Sequence, residues 1–164
     1  MPNLSVKFCG VEFENPTVLA SGVMGVTSSA LKKVVRSGAG GVTTKSIWLE
    51  EHEGHKNPTM VGTDEYFVNA VGLPDAGIKK AKEELGDYMK EHPAPLIANI
   101  VGGAEEDFYE IAEAIDELNP DLIEVNLSCP NVEDEFGKPL ACSAVKVEEM
   151  TKILKTKTDI PLVI

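Results

Sequence analysis

Short apolar runs alternate with helical stripes along nearly the whole chain, and this alternation constrains the fold most. Residues 17–20, 41–45, 96–101, 122–127 and 161–164 read as strands that are apolar on both sides. Between them, Leu31, Val34 and Val35 share a helical face behind the capping candidates Thr27 and Ser28. Ile78, Ala81, Leu85 and Met89 do the same after Asp75. Phe108, Ile111, Ala112, Ile115 and Leu118 form the most regular stripe, and Val147, Met150, Ile153 and Leu154 follow Ser143, the candidate cap of a last helix. Ahead of all this, residues 4–8 and 11–13 alternate around Cys9-Gly10 and predict a short hairpin over about 4–13. Strands buried on both faces and separated by helices require a parallel sheet covered by helices, with right-handed crossovers.

Two α/β architectures satisfy that pattern: an open doubly wound sheet and a (β/α)8 TIM barrel. A doubly wound sheet ordinarily carries a Gly-rich phosphate turn after its first strand. Here that turn reads Ala20-Ser21-Gly22-Val23-Met24-Gly25, which does not match GxGxxG. The barrel is therefore the expected fold. Five strands are countable in 164 residues, whereas a closed barrel has eight strands in about 250 residues. Residues 1–164 are thus expected to form the N-terminal part of a single barrel domain, covering about its first five strands. Loops after strands seven and eight, where such barrels commonly grip phosphate, are not in this stretch.

Charge narrows the partners. Lys and Arg total 15 against 27 Asp and Glu, a net −12, and Arg36 is the single arginine. Such a chain has no electrostatic attraction to a nucleic acid or an anionic membrane. No apolar run reaches the ~18 residues of a membrane span, and the first residues lack a signal-peptide core. Cys9, Cys129 and Cys142 are an odd number without CxxC spacing, so reduced thiols in the cytoplasm are expected.

The first four strands of the expected sheet each end in polar side chains: Ser21; Lys45 and Ser46; Asn99; then Asn126, Ser128 and Cys129. In parallel α/β sheets the carboxyl ends of the strands form the face that bears the site. Neutral amides and hydroxyls suit a planar ring rich in amide groups better than they suit a metal. Lys45 is the one cation leaving a strand, and a half-buried lysine needs an anion. That anion is either a ligand or Glu124, the only acid inside a strand run. His52-Glu53-Gly54-His55 has HExH rather than HExxH spacing, and Gly54 interrupts a helix, so no metal is expected there.

Four segments carry a resemblance: Asn15-Pro16 with Ala20-Ser21-Gly22, Thr44-Lys45-Ser46, Asn69-Ala70-Val71-Gly72-Leu73, and Asn126-Leu127-Ser128-Cys129-Pro130-Asn131. In this order the chain resembles the class 1 dihydroorotate dehydrogenases, from residue 4 to its end. Cysteine at position 129 is similar to the soluble class 1 group rather than the membrane-associated class 2 enzymes, which use serine. Residues between Ser46 and Asn69 look more like the class 1B branch, which works with an iron–sulfur and FAD subunit and passes electrons to NAD.

The resemblance implies FMN as cofactor and oxidation of dihydroorotate to orotate in pyrimidine (UMP) biosynthesis. It implies that Cys129 is the base at C5 while hydride leaves C6 for N5 of the flavin. An ordinary thiol is mostly protonated near neutrality, so such a base needs careful placement, and Pro130 stiffens the loop that holds it. By the same resemblance Lys45, Asn69, Ala70, Val71, Gly72, Leu73, Asn126 and Asn131 bind substrate. Ala20, Ser21, Lys45, Ser46, Asn99 and Asn126 bind the flavin. An oligomer is expected. The polar stretch 132–139 is either a lid that brings Lys138 over the pocket or a solvated loop. Two other readings remain at this level: a flavin domain like that of dihydropyrimidine dehydrogenase, acting on uracil-type rings, and an inactive half-barrel.

Overall fold

A computed structural model describes residues 3–129 and 139–164. An antiparallel hairpin comes first, β1 (Val6–Phe8) and β2 (Val11–Phe13), turning at Cys9 and Gly10, both at positive φ. Then follow β3 (Val18–Leu19), α1 (Ser28–Arg36) and β4 (Gly41–Thr43). A second hairpin, β5 (Met60–Gly62) and β6 (Phe67–Asn69), precedes α2 (Ile78–Glu91) and β7 (Leu96–Ile100). The chain continues through α3 (Glu105–Asp116), β8 (Leu122–Val125), a 3-10 turn at Leu140–Cys142, α4 (Ala144–Leu154) and β9 (Leu162–Val163). Strands β3, β4, β7, β8 and β9 lie side by side in that order, all parallel. Consecutive parallel strands joined through helices are the unit from which a (β/α)8 barrel is built, as the sequence pattern predicts.

The helices start and stop for local reasons. Thr27 caps α1, its hydroxyl accepting from the Ala30 N–H at 3.3 Å, while Lys33 and Arg36 complement the dipole in the last turn. Glu105, Glu106 and Asp107 open α3, and Asp107 Oδ2 accepts from Gly103 and Ala104 N–H at 2.9 and 3.1 Å. Asp75 does not cap α2, whose N-cap is Gly77; its carboxylate accepts from the N–H groups of Gly77 and Trp48 instead. Tyr88 is fully buried and donates to the Ala94 carbonyl at 2.8 Å, and burial pushes its hydroxyl up to about 12. Lys32 ties α1 to α2 through Glu91 at 2.8 Å and Asp87 at 3.0 Å.

Register divides the sheet into two faces. Val42, Leu96, Ala98, Ile100, Ile123 and Val125 point outward and join Phe108, Ile111, Ile115, Met150 and Leu154 of the helices in the main core. Apart from Ala98, each such buried side chain contributes roughly 1.5–3 kcal/mol of transfer free energy. Thr43, Ile97, Asn99, Leu122, Glu124 and Val163 share the opposite face. At its amino end Phe13 of the first hairpin packs on Ile97 and Leu122 to form a small second core. Toward the carboxyl end the same face becomes polar.

The β5–β6 hairpin is absent from the sequence expectations. Its strands are three residues long and wholly exposed, and no Asn-Gly or Asp-Gly turn announces it. Thr63 closes the turn instead, its hydroxyl accepting from the N–H groups of Glu65 and Tyr66 at 3.2 Å each.

Candidate active site

The polar strand ends converge on one cleft of about 350 Å³, lined by Ser21, Lys45, Ser46, Asn99, Asn126 and Ser128, together with Leu73, Glu124 and Val163. A larger, mostly apolar cavity of about 440 Å³ lies between the first hairpin and the inner sheet face. Ala20 faces that cavity rather than the cleft, although Glu124 and Val163 border both. Polar groups are needed to orient a ligand, and they gather in the smaller cleft.

Backbone contacts fix the cleft walls. The loop after β3 presses onto the exit of β4, where the Lys45 N–H donates to the Gly25 carbonyl at 2.9 Å. A Cβ on Gly25 would stand 2.3 Å from the Lys45 nitrogen, so only glycine permits this approach. Asn99 is held from both sides: its N–H donates to Thr44 Oγ1 at 2.9 Å and its carbonyl accepts from the Ile47 N–H at 2.9 Å. Ser46, also buried, accepts from Asn126 Nδ2 at 3.2 Å.

Among the described residues the cleft is lined by one cation, Lys45, and one acid, Glu124, and the two form no ion pair. Glu124 accepts a hydrogen bond from Asn99 Nδ2. Lys45, half-buried, forms no ion pair with any described residue. Of the two anions its position allowed, Glu124 is thus engaged elsewhere. Asn99 is 2% exposed, and its Oδ1 has no partner among the described residues. An orphaned buried acceptor is costly unless a ligand donor meets it.

The Asn69–Leu73 segment reaches the cleft only at its end. Asn69 lies exposed in β6 opposite Met60, and Ala70 is exposed beside it. The Val71 carbonyl accepts from the His55 N–H at 3.1 Å, Gly72 is buried at φ 74, and Leu73, at φ 48, lines the cleft. Trp48 anchors this turn, its indole N–H donating to the Leu73 carbonyl at 2.9 Å while its ring stacks on His52 at 4.3 Å. Sequence reasoning passed over Trp48; its only signal was a lone tryptophan two residues beyond the polar exit of β4. His55 lies against Gly72, and the described residues contain no cluster of three metal-ligating side chains.

Cys129 is half-buried immediately after Ser128 and is not part of the cleft lining. Asn131, Pro130 and the stretch 132–138, with Lys138, lie outside the described residues. Among the described residues no helix is long and apolar enough to cross a membrane.

Comparison with known proteins adds the following. A family model described as dihydroorotate dehydrogenase matches residues 3–164. The catalytic subunit of dihydroorotate dehydrogenase B (NAD(+)) from Methanocaldococcus jannaschii is 41% identical over 162 residues, covering 97% of this chain and 52% of that protein. Its counterpart from Methanosarcina acetivorans is 40% identical over 154 residues, 93% of this chain and 49% of that one. The chain therefore spans about half the length of the curated relatives it matches. Among solved structures, a dihydroorotate dehydrogenase from Eimeria tenella in complex with ferulenol superposes with a TM-score of 0.82 at 22% identity, over 96% of this chain and 44% of that one.

Proposed function

The chain belongs to the dihydroorotate dehydrogenase family, and from that membership we propose that it supplies the substrate-reading and proton-abstracting part of an FMN-dependent oxidation of dihydroorotate to orotate. The observation that carries this reading is the gathering of Ser21, Lys45, Ser46, Asn99 and Asn126 in one cleft, with Asn99 Oδ1 buried and without a partner among the described residues. A planar imide ring has N–H and C=O edges, and amides and hydroxyls match both. The residues fit the flavin.

Ser21, Lys45, Ser46, Asn99 and Asn126 would hold the FMN, with Ala20 contributing only from the chain that leads into Ser21, since it faces the neighbouring apolar cavity. The chemistry that bound FMN supplies is acceptance of the hydride from C6 of the substrate. Cys129, as thiolate, takes the C5 proton, and the C5–C6 double bond forms as proton and hydride depart. Lys45 pairs with the substrate carboxylate through a charge-assisted hydrogen bond, which its lack of an ion pair among the described residues leaves open. The amides of Asn69, Asn126 and Asn131 read the imide edge, and the Gly72-Leu73 backbone closes the pocket and keeps water out. Asn69 stands on an exposed strand, so its part in binding requires the segment to swing toward the cleft. The relatives are named catalytic subunits. An iron–sulfur and FAD subunit relaying electrons to NAD, an oligomeric assembly and a cytoplasmic setting complete the reading.

Replacing Cys129 by serine tests it. In the FMN-loaded holoenzyme, anaerobic flavin reduction by dihydroorotate at neutral pH is expected to slow by about 10²–10⁴-fold, the usual worth of a general base, with FMN still bound. An unchanged rate removes Cys129 from the base role.

A further inference from the structure

Among the described residues Glu124 is the one acid lining the cleft, and the proposed chemistry gives it no task. Its position on β8 is directly opposite Asn99 on β7, and its carboxylate accepts from Asn99 Nδ2. An ionised carboxylate has no proton to donate, so it can face only the NH2 end of an asparagine amide. With Nδ2 committed, Oδ1 has one remaining direction, and there it is buried and has no partner among the described residues. Backbone bonds to Thr44 Oγ1 and Ile47 leave the residue no freedom to shift as a whole.

We propose that Glu124 is a positioning residue for the cofactor: it locks the Asn99 amide so that a fixed acceptor, Oδ1, meets an N–H of the bound ring. The inference rests on the flavin reading above. It gives a task to the acid that lines the same cleft as Lys45. Lys45 itself forms no ion pair with any described residue and stays available to an anionic substrate. A glutamine at position 124 offers donor and acceptor alike, so Asn99 would sample both orientations and present the wrong end part of the time.

The test is FMN titration of the flavin-stripped full chain, read by flavin fluorescence and visible spectrum, in the wild type, Glu124→Gln, Asn99→Ala and the double variant. The expected result is a Kd raised about tenfold by E124Q, with an altered flavin spectrum, and a double variant no weaker than N99A alone. A Kd for E124Q within about twofold of wild type overturns the proposal, as do losses that simply multiply in the double variant. Wild-type protein that takes up no FMN overturns the flavin reading itself, and this proposal with it. Circular dichroism of each apoprotein separates lost fold from lost ligand. Should E124Q not fold, Glu124→Asp keeps the acceptor-only chemistry and must hold FMN within about threefold of wild type; weaker binding overturns the proposal.

Discussion

The two faces of the parallel sheet share the same strands and do opposite work. Leu96, Ala98 and Ile100 of β7 face helices and are fully buried among apolar neighbours. Ile97 and Asn99, the residues between them, face inward, one onto Phe13 and the other into the cleft. Side chains alternate along a strand, so a single five-residue run builds both a core and a site. The outer face of β7 is wholly apolar. The inner face grades from an apolar plug at the amino end to amides, hydroxyls and a cation at the carboxyl end. Stability and recognition are thus separated by one residue of register.

That separation is open to attack from the outer side first. Phe108, 1% exposed in α3, anchors the helix layer; Phe108→Ala is expected to cost about 3–5 kcal/mol in urea unfolding, while the folded fraction keeps its affinity for FMN. Lower flavin affinity at full foldedness would mean that the faces are coupled. On the inner side, Lys45→Ala is expected to raise KM for dihydroorotate about thirtyfold, corresponding to about 2 kcal/mol for a charged hydrogen bond, with unfolding almost unchanged. An unaltered KM would favour a ring without a carboxylate, as in the uracil-type reading.

The smallest effect lies in the helix layer and depends on pH. The Ser28 hydroxyl, and then Lys32, hold the Asp87 carboxyl below the usual aspartate value. A depressed folded value means that this contribution is fully present above the unfolded value of about 3.9 and is lost as pH falls through the lowered one. Asp87→Asn should therefore flatten the loss of stability as pH falls below about 4, measured by urea melts at successively lower pH; an identical slope in wild type and variant would assign the acid sensitivity elsewhere. FMN affinity should not follow it.

The sheet, its strand order and the polar exits at Ser21, Lys45-Ser46, Asn99 and Asn126 were all legible in the sequence, because parallel strands must be apolar and polar residues at their ends stand out. Strands run shorter than their apolar runs: 41–45 shortens to Gly41–Thr43 because the Lys45 N–H turns to Gly25. Three things were not legible. Whether Glu124 pairs with Lys45 or Asn99 is decided by distances within a cleft, which composition does not carry. Trp48 acts on Leu73, a contact 25 residues away in the chain. The exposed β5–β6 hairpin carries Asn69 out of the cleft, whereas a motif read along the sequence places it within.

The most direct test uses two neighbours on β7. Asn99→Ala and Ile100→Val change adjacent residues on opposite faces, and FMN titration and urea melts of both report on each face separately. Asn99→Ala is expected to weaken FMN binding by at least about tenfold with little loss of stability. Ile100→Val should lower stability by about 0.5–1.5 kcal/mol and leave FMN binding at the wild-type value. Wild-type FMN affinity in Asn99→Ala would contradict the assignment of the inner face as the flavin site.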